Sequence, residues 1–441
     1  MKSIAIHWFR RDLRFEDNAG LHAALDGPLP VLPAFIFDQH ILGQLDNSHD
    51  RRVQFLHAEV QRLKQESQAA GSDLLGAFGE PLVVWEKWIP MLAAIGFEVK
   101  AVFVNRDYEP YAKERDAEIG SFFKSQNIAF HGRKDSVILE KDEVLKDDGK
   151  PYTVFTPYSK KWRRVLQEKD LTARPSETLL NRLLPCKMEA LPSLYSMGFE
   201  SDGEFEFPDR QIVNSILENY ADRRDLPAIP GTSRLSLHLR FGTVGIRQAA
   251  RAGFQHSDKW LTELIWRDFY QMILHHFPHS VRQAFKPQYD RVPWRQDEKA
   301  FEAWQAGKTG YPLVDAGMRE LLTTGFMHNR VRMVVASFLC KHLLLDWRLG
   351  ERHFAAHLLD FDLASNVGGW QWAAGCGCDA APYFRVFNPA SQLAKFDPDF
   401  MYVKRWVPEF GTSLYPEPIV EHKFARQRAL DTYKAALNPT S

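Results

Sequence analysis

The chain has 441 residues, 45% of them hydrophobic and 25% charged, with zero formal net charge and a mean hydropathy of −0.35. That composition excludes a mainly disordered, a collagen-like and an all-membrane protein, and the length suits two or three domains. Apolar stretches such as Met333 to Cys340 fall far short of the roughly 20 residues needed to span a bilayer. The N-terminus turns charged at Arg10, Arg11 and Asp12, so no signal-peptide core is expected. Four cysteines argue against a disulfide framework and for a reducing cytoplasm. Residues 1–205 carry 27 Lys and Arg against 31 Asp and Glu, whereas residues 206–441 carry 29 against 25, which permits a local basic face on the second half. Eight of the twelve tryptophans also lie in that half, where ordinary aromatic core accounts for most of them and stacking or electron transfer for the rest.

In chain order, Ile4 to Phe9 is a short apolar run, followed by a charged turn and a helical stretch from Ala19 to Leu25. Val31 to Phe37 and Ala101 to Val104 read as further buried strands, and Val53, Leu56, Val60 and Leu63 mark a helix between them. Strands alternating with helices predict a doubly wound parallel sheet over residues 1–130. Residues 131–205 are charged, rich in Pro and Ser and weakly periodic, and read as a long connection. From 206 to 441 the pattern is helical, with one apolar stripe through Trp260, Leu264, Phe269 and Ile273 and another through Val331, Val335, Phe338 and Leu343. The expected fold class is therefore α/β joined to all-α.

Familiar fingerprints are missing. There is no phosphate-binding P-loop, no G-x-G-x-x-G turn, no G-x-S-x-G elbow, and no H-E-x-x-H or C-x-x-C metal spacing, so no metal site is expected. Cys376 and Cys378 are too close together for a zinc knuckle and read as packed thiols. An enzyme built this way would rely on a bound organic cofactor.

Glu263, Trp266, Arg267 and Tyr270 fall at i, i+3, i+4 and i+7 and share one helix face, either a functional ridge or a Glu–Arg pair beside a half-buried Trp. Asn329, Arg332 and Met333 share another face, with Arg330 beside them. Gly231 to Ser236 follows a Pro-rich turn and offers three hydroxyls at a helix start, which suits a diphosphate or an ordinary N-cap. The run from Asp360 to Trp372 holds two carboxylates, an amide, paired glycines and two indoles, a combination costly to explain as core packing.

From Trp8-Phe9-Arg10-Arg11-Asp12-Leu13-Arg14 to Pro418-Ile419-Val420-Glu421-His422-Lys423 the chain resembles the DNA photolyases of the photolyase/cryptochrome family. The motifs that carry the resemblance are Gly231-Thr232-Ser233-Arg234-Leu235-Ser236, Glu263-Leu264-Ile265-Trp266-Arg267, Met327-His328-Asn329-Arg330, Gly368-Gly369-Trp370-Gln371-Trp372 and Asp379-Ala380-Ala381-Pro382-Tyr383-Phe384-Arg385. It implies an antenna-binding domain over 1–130 and a helical FAD- and DNA-binding domain over 206–441. It further implies light-driven repair of cyclobutane pyrimidine dimers of the class I-like type, by electron transfer from excited reduced FAD. Tyr220, Thr232, Ser233, Arg234, Leu235, Ser236, Arg267, Asn329, Arg332, Asp360, Asp362 and Asn366 would hold the FAD, with Arg332 paired to Asp360. Trp294, Trp347 and Trp370 match the family's electron relay. Glu263, Trp266, Asn329, Met333 and Trp372 would form the dimer pocket, with Glu263 protonated or suitably bridged to stabilise the reduced dimer. Arg224, Arg330, Arg385, Gln392 and Lys395 would meet the damaged strand, with Tyr270 also on the DNA side.

Met333 stands where enzymes for the (6-4) photoproduct typically carry His, which favours the cyclobutane dimer. Glu109-Pro110-Tyr111-Ala112 lacks the carboxylate of folate-antenna members, and with Phe35-Ile36-Phe37-Asp38 it resembles members that hold a deazaflavin; an FMN antenna or an empty pocket stays open. Cys376 and Cys378 replace the small or hydroxyl residues expected beside Trp372. A cryptochrome receptor is the competing reading, opposed by the 18 residues that follow Lys423. A monomer acting on damaged DNA, with no membrane association, is expected.

Overall fold

A computed structural model describes residues 1–201, 203 and 205–438. The N-terminal elements build a five-stranded, all-parallel sheet in the order β3-β2-β1-β4-β5, comprising β1 (Lys2–Phe9), β2 (Val31–Asp38), β3 (Leu75–Gly79), β4 (Phe97–Asn105) and β5 (Ala129–Arg133). Ile4 to Phe9 and all of β2 are buried, as a sheet covered by helices on both faces requires. Asn18 caps helix Ala19–Leu25 by accepting from the Leu21 N–H, and Asp50 caps Arg51–Ala69 through the Arg52 N–H. Prolines open helices Pro81–Ala94 and Pro110–Ser125, where a missing N–H costs nothing.

The chain divides into two compact units, each built from separate stretches. The sheet unit comprises Met1–Glu140, Leu166–Ile212 and Arg234–Phe254; the helical unit comprises Lys141–Val165, Val213–Ser233 and the chain from Gln255 onward. These ranges do not coincide with the contiguous division at 130 and 205. Residues 141–165 hold an amphipathic helix, Phe155–Val165, that packs on helix Asp258–His276. Residues 234–254 return to the sheet unit because they bring Arg247 to Asp135. Asp135 is buried between Arg14 and Arg247, 2.7 Å from each, and Arg247 also donates to Asp17 at 2.8 Å. Burial alone would raise the Asp135 carboxyl, but the two guanidiniums hold it below the usual carboxylate range. Gly242 has φ +68°, and a Cβ there would lie 2.1 Å from the Arg11 carbonyl oxygen, so this close approach needs glycine.

The helical unit has no strand among its described residues. Its core gathers Trp304, Trp347, Trp370, Tyr402 and Tyr433 with Val334, Leu339 and Leu343. Among the described residues no helix is long and apolar enough to cross a membrane.

Candidate functional site

Three motif-bearing helices of the helical unit meet. Helix Leu363–Ala374 packs against both Asp258–His276 and Asn329–Ser337. The first contact is close because Gly368 has no side chain: a Cβ there would fall 2.3 Å from the Tyr270 ring.

On helix Asp258–His276, Ser257 caps the start by accepting from the Trp260 N–H. Glu263 forms a hydrogen-bonded ion pair with Arg224, whose guanidinium lies 5.2 Å from the Tyr220 ring centroid. Burial, reinforced by Glu263, pushes the Tyr220 phenol above its ordinary value. The charges continue: Arg224 lies 3.9 Å from Asp225, which accepts from Arg330 at 2.9 Å. Two guanidiniums expected to meet DNA are therefore paired with carboxylates. Arg330 also donates its backbone N–H to Nδ1 of His328, whose imidazole burial pushes down to about 4, so it is neutral and can accept.

One face of Trp266 is covered. Phe155 stacks on it at 3.6 Å and 7°, and Tyr270 lies tilted at 5.5 Å. Phe155 sits in the stretch read as a connection; the signal that could have found it is the helical spacing of Phe155, Tyr158 and Trp162, all buried. Trp162 completes the seam by donating to Asp268 at 3.0 Å.

Asn329 is the exposed first residue of helix Asn329–Ser337, and Met333 lies half-buried one turn on. Between them in sequence, Arg332 donates to both Asp360 oxygens at 3.1 and 2.9 Å and to the Met327 carbonyl at 2.7 Å. This is the expected pair, geometrically fixed at three points. Asp362 caps helix Leu363–Ala374, accepting from the Ser365 N–H and Oγ and from Gln271. Asn366 donates to the Glu351 carbonyl and carboxyl. Arg267 is half-buried on its helix.

Thr232 and Ser233 fall in the helical unit, where Ser233 Oγ accepts from Trp260 Nε1 at 3.3 Å. Arg234, Leu235 and Ser236 fall in the sheet unit: Arg234 has φ +51°, Leu235 is buried, and Ser236 opens helix Ser236–Phe241, which lacks a side-chain cap. The ordinary N-cap alternative for these hydroxyls is thus absent.

Trp370 and Trp347 are both buried, and Trp294 is half-buried against Tyr433. Trp372 is half-buried, 6.4 Å from Phe387. Arg385 and Lys395 are exposed, each over a neighbouring Phe ring, and Gln392 is half-buried. Cys376 and Cys378 are buried free thiols, both pushed up to about 12 by burial, as packed and unreactive cysteines should be. Among the described residues no cluster could hold a metal ion.

The donor set fits a flavin dinucleotide. Arg332 with Asp360 and the Asn366 amide supply directed polar groups, and indole surface lies beside them in sequence. Gly369 lies on the same helix as Asn366. It sits inside a helix, where glycine costs about 1 kcal/mol relative to alanine. Yet a Cβ there would meet nothing within 4 Å. No contact within the protein requires this glycine, and the position is exposed.

The fold and these motifs define a two-unit protein, a parallel-sheet unit and a helical unit, whose polar and indole groups suit a flavin, and comparison with known proteins agrees. Residues 5–177 match the family model for DNA photolyase, and residues 260–413 match the model for the FAD binding domain of DNA photolyase. The chain belongs to the DNA photolyase family and carries that family's FAD-binding domain. It is 38% identical to a deoxyribodipyrimidine photo-lyase of Synechococcus sp., over 99% of this chain and 97% of that one. To the deoxyribodipyrimidine photo-lyase of Escherichia coli it is 36% identical, over 97% and 98%. Among solved structures, a bacterial class III photolyase from Agrobacterium tumefaciens superposes with a TM-score of 0.86 at 32% identity, covering 99% of this chain and 98% of that one. An archaeal photolyase from Sulfolobus tokodaii with two FAD molecules gives 0.79 at 33%, covering 98% and 99%. A Synechocystis cryptochrome gives 0.81 at 26%, over the same shares.

Proposed function

We propose that this chain uses blue light to split cyclobutane pyrimidine dimers in DNA. DNA photolyases as a class act on an extruded base, and a damaged, poorly stacked dimer costs less to extrude. The observation that supports the reading is the packing of helix Leu363–Ala374 against Asp258–His276 and Asn329–Ser337, which brings the three motif-bearing segments together in one unit.

In this reading FAD, bound and reduced, supplies on excitation the electron that opens the dimer. The FAD set is the one named above from Tyr220 to Asn366. Arg332, fixed by Asp360 and the Met327 carbonyl, keeps a positive charge in one place with little reorganisation. Glu263 meets the pyrimidine carbonyls in its protonated form, whose O–H donates to them, with Arg224 released to the strand, and Trp266 and Trp372 give the dimer apolar platforms. Met333 offers a thioether and no transferable proton, which suits the cyclobutane dimer over the (6-4) photoproduct. Arg385 and Lys395, exposed, and Gln392 take the strand's backbone, and Arg224 and Arg330 join them. Trp294, Trp347 and Trp370 pass electrons inward to reduce the flavin.

The second chromophore is a deazaflavin, favoured over folate or FMN by Ala112 and by Asp38. Asp38 accepts from the Tyr111 hydroxyl at 2.8 Å, and Tyr111 stacks on His40. The protein works as a cytoplasmic monomer.

The test is blue-light repair of a thymine-dimer oligonucleotide under reducing, anaerobic conditions, with the absorption spectrum recorded first. Light-dependent loss of the dimer supports the reading, and an absorption band beyond that of FAD identifies an antenna. Bound FAD with photoreduction and no repair transfers the assignment to a cryptochrome or a (6-4) enzyme. In a repairing protein, Glu263→Ala lowers repair per absorbed photon while FAD stays bound; an unchanged yield removes Glu263 from the mechanism.

A further inference from the structure

One fully buried indole has no place in the relay. Trp304, on helix Glu298–Gln305, lies edge to face against Trp370, with ring centroids 6.1 Å apart at 71°. Among the described residues, the aromatic rings in contact with Trp370 are Trp304 and Phe354.

Two features set the direction of any charge shared between the two indoles. Trp304 donates its Nε1–H to the Val335 carbonyl at 3.3 Å, whereas Trp370 Nε1 is buried with no hydrogen-bond partner among the described residues. A carbonyl facing the N–H stabilises positive charge on an indole, and more so where the surroundings are dry. The neighbours add to this. Around Trp304 stand Phe301, Phe354 and His353. Burial, helped by His357, pushes His353 down to about 3, so it is neutral and does not oppose a cation beside it. Trp347 instead has the Arg348 guanidinium 4.8 Å from its ring centroid, partly neutralised by Asp290 and Asp346.

We propose that Trp304 is a second electron donor to Trp370, a buried side station on the photoreduction route. This rests on the relay reading above, in which photo-excited oxidised flavin takes one electron from Trp370. The Trp370 radical cation then takes one electron from the Trp304 ring, so Trp370 is restored and Trp304 carries the charge. No bond forms or breaks, and both N–H protons stay, because the Val335 carbonyl accepts a hydrogen bond but not a proton. Trp304 is closed to solvent, so no external thiol refills it. Its electron returns only through Trp370, and the station holds charge apart from the flavin for as long as that return takes.

The test is flash photolysis of the FAD-loaded protein with the flavin oxidised, following the indole radical cation per bound flavin. Trp347→Phe closes the outward route. In that background, adding Trp304→Phe should shorten the radical's lifetime about tenfold, equivalent to about 1.4 kcal/mol of charge stabilisation lost. Trp304→Leu, equally inert to oxidation, should shorten it likewise, which separates electron donation from the shape of one replacement. An unchanged lifetime in both variants overturns the proposal. Trp370→Phe is read alongside. Loss of the radical there with no effect of Trp304 overturns the side station alone, whereas a surviving radical overturns the relay beneath it.

Discussion

Lys341 is 1% exposed, and its ammonium reaches only the Ala374 and Tyr383 carbonyls and the face of Tyr433, with no carboxylate partner among the described residues. Burial pushes it down to about 8 from its ordinary 10.5. Between those values the unfolded chain binds more protons than the folded one, so stability gains as pH rises through that window and the cost is full below it. Lys341→Met should therefore stabilise the fold at pH 7 by on the order of 2 kcal/mol, a gain that shrinks as pH approaches 10; urea unfolding at both pH values measures it. Gly369 carries a second prediction of the same sign. Gly369→Ala should raise the stability of flavin-free protein by up to about 1 kcal/mol. Thermal unfolding without flavin checks it. The helix faces that carry Glu263 and Arg332 were legible from residue spacing, whereas the roles expected of them and of Trp370 came from the family resemblance. The Arg224–Glu263 pair was not legible, since it joins residues 39 apart whose contact only the fold creates.

The interior strands β1 and β2 show in the sequence as near-continuous apolar runs, as strands buried on both faces must, and β4 does so only from Ala101 to Val104, after Glu98 and the exposed Lys100. β3 and β5 do not: Leu-Gly-Ala-Phe-Gly and Ala-Phe-His-Gly-Arg are five-residue edge strands interrupted by glycine, too short to stand out. Helix Phe155–Val165 was hidden by the charged composition around it. Its apolar residues occupy one face only, and that face meets helix Asp258–His276. At this scale Asp135 is the testable link, since it holds helix Ile246–His256 to the loop after β1 through Arg247 and Arg14. Asp135→Asn leaves two buried guanidiniums short of charge and should cost about 3 kcal/mol. Because both guanidiniums hold this carboxyl low, its contribution is present above its ordinary 3.8 and is lost as pH falls below it. The Asn variant should therefore show a weaker acid dependence than the parent chain in unfolding followed from pH 6 to pH 3.

A net charge of zero limits what the whole molecule can gain from the phosphate backbone. Of the four cations assigned to the damaged strand, Arg385 and Lys395 are exposed, while Arg224 and Arg330 are paired with Glu263 and Asp225. If only the exposed two meet phosphates, log K for DNA against log salt should slope at about −2; if the paired two exchange carboxylate for phosphate, at about −4. Fluorescence anisotropy across a salt series distinguishes the two, and Arg385→Ala should reduce the slope by about 1.

The two units are interleaved along the chain, which passes between them five times. A ribosome releasing this polypeptide from its N-terminus exposes all five strands by residue 133, yet withholds Arg247 for more than a hundred residues longer. Asp135 spends that interval with half of its positive partners unmade. Neither unit is a cassette that could be cut at a single point and grafted elsewhere, so any ancestral duplication or exchange of the sheet unit had to carry part of the helical unit's sequence with it.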